Sequence, residues 1–196
     1  MQRLFIITLS LICAGCGSTG INLYPYTDAG ATREQFRLCH GQGCTERTWA
    51  GFTDSEWKKI TSIFKPSPKS SKIERERIAK AIALMEHISG KKTGTAADKG
   101  EAKAPKSDKY QMDCIDETVN TNLYLSLLSE VGLLKYHTPA RHIHRGYFVD
   151  GTWPHNTATI KEIKSGTVYV VDAFYFDNGQ KPSILPASEW LAGWRP

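Results

Sequence analysis

The sequence predicts an α+β domain in which helices come first and an antiparallel β meander follows. Three observations carry this. Between residues 53 and 132 apolar side chains recur at helical spacing in three runs, each opened by a capping residue and closed by a proline or glycine. After Gly132 the pattern changes to period two, punctuated by Asp150-Gly151, Lys164-Ser165-Gly166 and Asp177-Asn178-Gly179. Across 196 residues, 40% hydrophobic and 23% charged content suits one globular domain behind a leader, long enough to bury a sizeable core. No internal repeat is visible. A formal charge of +5 makes the chain mildly basic. Its lysines are scattered and no basic, aromatic-interleaved stripe is present, so nucleic acid is not an expected partner.

Residues 1–15 read as an export signal. Met1-Gln2-Arg3 precedes an apolar run from Leu4 to Ile12 that is too short to span a bilayer comfortably. The run ends Cys13-Ala14-Gly15-Cys16, which resembles the bacterial lipoprotein signal, with small residues before the cysteine that becomes acylated. Cys13 stands where that signal usually carries an aliphatic residue, and an ordinary signal-peptidase cut is the alternative. The resemblance implies lipid on Cys16, Gly17 to Gly20 as a flexible tether, and a membrane partner reached through that lipid. It places the chain in the bacterial cell envelope. Gly17 is not the Asp that would redirect sorting, which points to the outer membrane, facing the periplasm.

Residues 16–50 are expected to hold the tether and a cysteine loop. The segment 21–50 is mixed, with turn residues at Pro25 and Asp28-Ala29-Gly30, and reads as a wrap over the domain instead of a unit of its own. Cys39-His40-Gly41-Gln42-Gly43-Cys44 is a tight, glycine-rich loop that two sulfurs could close; a metal knuckle with His40 is the alternative, short of ligands. Export puts these cysteines in an oxidising compartment. If Cys39 pairs with Cys44, Cys114 is the odd thiol, and an unpaired cysteine in an exported chain is a reactive one.

Residues 51–196 read as a single domain. Thr53-Asp54-Ser55-Glu56 is a capping box, and Trp57, Ile60 and Phe64 share one helical face before Pro66 and Pro68 end the run. A second box, Ser71-Lys72-Ile73-Glu74, opens a helix lined by Ile78, Ile82, Met85 and Ile88, with Gly90 as its stop. Residues 91–110 contain Gly94, Gly100 and Pro105 and show no sustained period. They are expected to form a mobile loop, either a solvated linker or a cover over substrate. Asp113 then caps a third helix that places Cys114 in its first turn, carries Met112, Ile115, Val119 and Leu123 on one face, and runs to Gly132. His142, His144 and Tyr147-Phe148-Val149 suggest the first strand, Asp150-Gly151 a hairpin turn, and Thr157 to Ile160 the return. The next strand spans Thr167 to Tyr175. A helical turn at Ser188-Glu189-Trp190-Leu191 follows, with Trp190 and Trp194 packing back on the sheet.

A thiol at a helix N-terminus meets unpaired N–H groups and the positive end of the helix dipole, which favour a thiolate and supply donors for an oxyanion. Thiol chemistry also needs a base, and a third group to orient it. His155 enters one strand and Asp172 lies on the next; folding the pair about Lys164 to Gly166 brings them nearly opposite or diagonal. Asp116 and Glu117 are explained by capping and the dipole. His142 and His144 share a strand face and would bind a metal only with a third ligand, so a polar sheet face is expected and no metal.

With the cysteine at the start of a core helix and the histidine and aspartate on successive strands, residues 110–176 resemble the transglutaminase-like superfamily of papain-type cysteine enzymes. The resemblance implies Cys114 as nucleophile, His155 as base, Asp172 as orienting acid and Gln111 as an oxyanion helper beside the Cys114 N–H, with no cofactor. It implies a cysteine peptidase or amidase acting on a peptide or isopeptide-like amide of an envelope protein or peptide. The cross-linking members place Gln and then Cys adjacent with Trp following. This chain has Asp113 and Ile115 in those places, which argues against protein cross-linking and leaves hydrolysis of an amide open. A peptidase of the NlpC/P60 type also uses an exported, helix-borne cysteine after Asp, but it carries Ser and Gly after the cysteine where this chain has Ile115 and Asp116. A third alternative is a catalytically inactive binding lipoprotein of the same fold in envelope assembly.

Overall fold

The computed structural model describes residues 23, 30–102, 107–146 and 154–196. The expected signal at 1–15, the acylated Cys16, the Tyr147-Phe148-Val149 strand end and the Asp150-Gly151 turn lie outside them. The described chain is α+β, with two antiparallel sheets: a hairpin of β1 (Phe36–His40) and β2 (Glu46–Ala50), and a meander in the order β3 (His137–Arg145), β4 (His155–Glu162), β5 (Val168–Asp172), β6 (Ser183–Pro186). The helices are α1 (Asp54–Ser62), α2 (Ser71–Thr93), α3 (Cys114–Glu130) and α4 (Ala187–Leu191). Among the described residues no helix is long and apolar enough to cross a membrane.

The β1–β2 hairpin departs from the sequence reading, which made 21–50 an irregular wrap. Phe36, Leu38 and His40 alternate inward, and the glycine-rich cysteine loop turns the chain with Gly41 and Gly43 at positive φ. In α1, Thr53 accepts from the Glu56 N–H while the Glu56 side chain accepts from Thr53 N–H, so the capping box forms as read. In α2 the cap is Ser70, one residue earlier than expected, and Glu74 is not its reciprocal partner. The Glu74 carboxylate is buried and accepts instead from the N–H groups of Lys135, Tyr136 and His137 and from His137 Nδ1, fastening the start of β3 to α2.

Helix α2 also runs past its expected stop. It continues through Gly90 to Thr93, and Gly94 at φ 87° forms the left-handed cap. A Cβ on Gly90 would lie 2.7 Å from Asn178 Oδ1, so this glycine serves close packing of the loop after β5.

The core lies between α1, α2 and α3 on one side and the β1–β2 hairpin and the meander on the other. It is built from Phe36, Phe52, Ile60, Ile78, Ile82, Met85, Tyr124, Leu125, Leu128, Ile160 and Val171. Each large apolar side chain buried here contributes roughly 1.5–3 kcal/mol. The helical face expected from Met112, Ile115, Val119 and Leu123 is divided: Leu123 packs against this core, while Val119 and Ile115 join Leu23 and the two loop cysteines in a separate small cluster.

Candidate functional site

Asp113 sits in extended backbone and caps α3, accepting from the N–H groups of Ile115 and Asp116, while the Asp116 side chain accepts from Asp113 N–H. Cys114 is therefore the first residue of the helix. Its thiol is free and buried, 8% exposed. The sulfur lies 4.0 Å from the Pro154 carbonyl oxygen and 3.9 Å from Asn156 Nδ2, the two neighbours of His155 in the chain.

His155 begins β4, beside Arg145 of β3. The β4–β5 register pairs Ala158 with Val171, so extending it puts His155 across from Phe174 and diagonal to Asp172 on the same face. His155 Nε2 and Asp172 Oδ2 are 2.9 Å apart, with both side chains buried. Trp190 Nε1 donates to the same Asp172 oxygen at 2.7 Å. With Nε2–H donating to the carboxylate, Nδ1 carries the lone pair, and among the described residues Nδ1 is buried without a hydrogen-bond partner. The imidazole is packed by Phe174, Tyr175 and Trp190, at ring-centroid distances of 4.7, 5.4 and 5.3 Å.

Arg145 holds this wall together. Its guanidinium lies 4.2 Å from the centroid of the Trp190 ring and donates to Tyr175 Oη and the Trp194 carbonyl at 2.8 Å each, and to the Trp190 carbonyl. Tyr175 and Trp194 pack edge to face at 6.1 Å. The structure thus joins His155 to Asp172 and sets the Cys114 sulfur against the two chain neighbours of His155.

Gln111 is buried beside the helix start, but its carboxamide is engaged elsewhere. Oε1 accepts from Lys99 N–H at 3.0 Å and Nε2 donates to the Ala97 carbonyl at 3.3 Å. These bonds belong to a set that fastens the segment expected to be a mobile loop. Asp98 accepts from Met112 N–H at 2.6 Å, Gly100 N–H donates to Asp177, and Glu101 N–H donates to the Phe174 carbonyl. The described residues of 91–110 therefore pack against the site, with Thr95, Asp98 and Gly100 buried.

The electrostatics of the helix start oppose the sequence expectation of a lowered thiol pKa. Burial pushes the Cys114 thiol up, N–H groups of Asn156 pull it down, and the Asp113 and Asp172 charges add to the rise; it is pushed up to about 11. Four carboxyls behind it are raised by burial. Glu86 and Asp116 reach about 8, Asp98 about 7, and Glu117, further opposed by Glu86, Asp98, Asp116 and Asp172, stands well above its ordinary value.

Cys39 and Cys44 form a disulfide. The loop is bound to α3 and its approach: Gly41 N–H donates to the Gln111 carbonyl, Cys44 N–H to Asp116 Oδ1, and Asn120 exchanges two 2.8 Å bonds with the Cys39 backbone. His40 bonds Lys109 and Thr48 instead of standing as a ligand. Among the described residues the three-ligand grouping within 4.8 Å is Cys39, Cys44 and Asp116, and both sulfurs are spent in the disulfide. His142 lies within a β-bulge between Ala140 and Ile143, where Thr159 Oγ1 donates to the Arg141 carbonyl, and His144 lies past it, opposite Asn156.

Sequence reasoning missed Asn156, Trp190 and Arg145 as parts of the site. Trp190 was legible as a tail residue packing on the sheet, but its bond to Asp172 was not. Comparison with protein-family models, curated proteins and solved structures found no match to this chain.

Proposed function

We propose that this chain is a cysteine hydrolase of the transglutaminase-like type, cleaving a peptide or isopeptide-like amide and anchored through Cys16 in the bacterial cell envelope. One observation carries the reading: a buried His155–Asp172 hydrogen bond leaves Nδ1 as the basic nitrogen, on the residue flanked by the two groups that touch the Cys114 sulfur. Asp172 holds the imidazole in that tautomer and stabilises its charged form.

In the reaction His155 Nδ1 takes the thiol proton as Sγ forms a bond to the amide carbonyl carbon, whose π electrons move to oxygen. Collapse of the oxyanion breaks the C–N bond, and the imidazolium returns its proton to the departing amine. The thioester is then cleaved by water, with His155 taking the water proton and giving it back to sulfur. The high thiol pKa bears on the first step alone. Losing the proton to solvent leaves a bare buried thiolate, whereas passing it to His155 leaves a thiolate beside a cation.

The test is the pH profile of Cys114 alkylation by iodoacetamide, read by peptide-resolved mass spectrometry on the full chain carrying Cys16→Ser. Labelling should persist well below the free-cysteine value of about 8.5 in the parent. In His155→Ala the labelling below that value should be lost. The same profile in both chains would sink the Cys–His couple.

The burial of Cys114 favours a second reading, a binding lipoprotein of the same fold in envelope assembly. Recovery of one envelope partner equally well by Cys114→Ala and the parent would favour it.

A further inference from the structure

We infer that Asn156 is the side-chain donor that receives the oxyanion when Cys114 attacks an acyl carbon, in the place the sequence reading gave to Gln111. The inference rests on the hydrolase reading and assigns it a further catalytic residue. Asn156 is 2% exposed, on β4 next to His155. Its Nδ2 points at the Cys114 sulfur at 3.9 Å. Its Oδ1 is buried and among the described residues has no hydrogen-bond partner, although buried polar atoms are normally paired. A carboxamide with one end on the nucleophile and the other unspent is what a ligand amide would complete: Nδ2 to the carbonyl oxygen, Oδ1 to an N–H of the same substrate.

Geometry supports the donor role. Once sulfur bonds to an acyl carbon, the acyl oxygen lies only about 2.7 Å from the sulfur, so a donor nearly 4 Å from sulfur can stand at hydrogen-bond distance from that oxygen. The Cys114 backbone N–H is a second donor at the same place. Asp113 takes the N–H groups of Ile115 and Asp116, and the Cys114 N–H, the first of the helix, has no acceptor within the helix. Gln111 cannot supply the donor while both ends of its carboxamide hold the turn at residues 97–99.

The probe is N-acetylglycinal, 13C-labelled at the aldehyde carbon. Cys114 Sγ adds to that carbon and the thiol proton ends on the aldehyde oxygen, giving a hemithioacetal without any oxidant or turnover. Binding to the full chain carrying Cys16→Ser is read by the 13C shift. The Asn156→Ala chain should bind the aldehyde about ten- to a thousand-fold more weakly than the parent. Asn156→Asp keeps the shape of the side chain and guards against a misfolded Ala variant. It should bind poorly at pH 8 and recover as pH falls and the carboxyl gains an O–H donor, a recovery that a structural role would not produce. Parent-like affinity in both folded variants would overturn the assignment. If the parent chain itself forms no hemithioacetal, the hydrolase reading falls, and the role of Asn156 falls with it.

Discussion

The indole N–H of Trp190 donates to Asp172 Oδ2 at 2.7 Å, the same oxygen that faces His155 Nε2 at 2.9 Å. Two donors on one buried oxygen hold the carboxylate against the imidazole. They also join the last helix to the candidate site.

Replacing Trp190 by Phe keeps most of the ring and deletes the donor. The chain should lose about 1–3 kcal/mol of stability, the worth of a hydrogen bond to a charged group. Cys114 alkylation at neutral pH should also slow severalfold, because Asp172 is then held from one side only. Urea unfolding and labelling rates on the same sample check both. An unchanged labelling rate would make Trp190 a packing residue alone.

The raised carboxyls make stability fall with rising pH. A carboxyl whose folded pKa lies above its unfolded value holds its proton longer in the folded chain. Its contribution is present below about pH 4.5 and is lost as pH rises through the folded value. For Asp98 at about 7 and for Glu86 and Asp116 at about 8, the decline spans roughly pH 5 to 8. Denaturant midpoints across that range should drop. Glu117→Gln should flatten the slope and be more stable than the parent at pH 8, because burial and the neighbouring carboxyls hold the Glu117 carboxyl well above its ordinary value.

Glu74 behaves oppositely. Burial pushes its pKa up, but hydrogen bonds from His137 and from the Lys135 and Tyr136 N–H groups outweigh that and hold it below the usual carboxylate range. Its contribution is present above the unfolded value and lost as pH falls through the folded one. Glu74→Ala strands three backbone N–H groups and an imidazole and should cost roughly 3–5 kcal/mol. A loss under about 1 kcal/mol by urea titration would show that water replaces the carboxylate.

Reducing the Cys39–Cys44 disulfide opens a loop with a sequence separation of 5 and should lower stability by about 2 kcal/mol. The bonds from Gly41 and Cys44 to Gln111 and Asp116 should loosen with it. Amide exchange at the first turn of α3, compared with and without a phosphine reductant, would detect the loosening. Unchanged exchange would confine the disulfide's effect to its own loop.

Much of the fold was legible because its signals are local. Thr53 and Asp113 announce helix starts through the residues three places on, and Gly166 marks the β4–β5 turn. The diagonal placement of His155 and Asp172 followed from strand length and turn position. The failures share one cause, a partner far away in sequence. Gly90 read as a stop, but Asn178 makes it a packing glycine. Glu74 read as half of a capping box, but the start of β3 claims its carboxylate. Gln111 read as an oxyanion helper, but the turn at Ala97 and Lys99 takes both ends of its carboxamide. The β1–β2 hairpin was hidden because its glycines and cysteines outweighed the short Phe36–Leu38–His40 alternation.

The site is also ordered in time. During synthesis α3 emerges with its thiol 41 residues ahead of His155 and 76 ahead of Trp190, counting from 114 to 155 and to 190. Until Arg145 has drawn Tyr175, Trp190 and Trp194 together, Asp172 lacks its second donor and the imidazole lacks a wall. Until the tail has docked, the growing chain therefore carries the Cys114 thiol ahead of an incomplete His155–Asp172 pair.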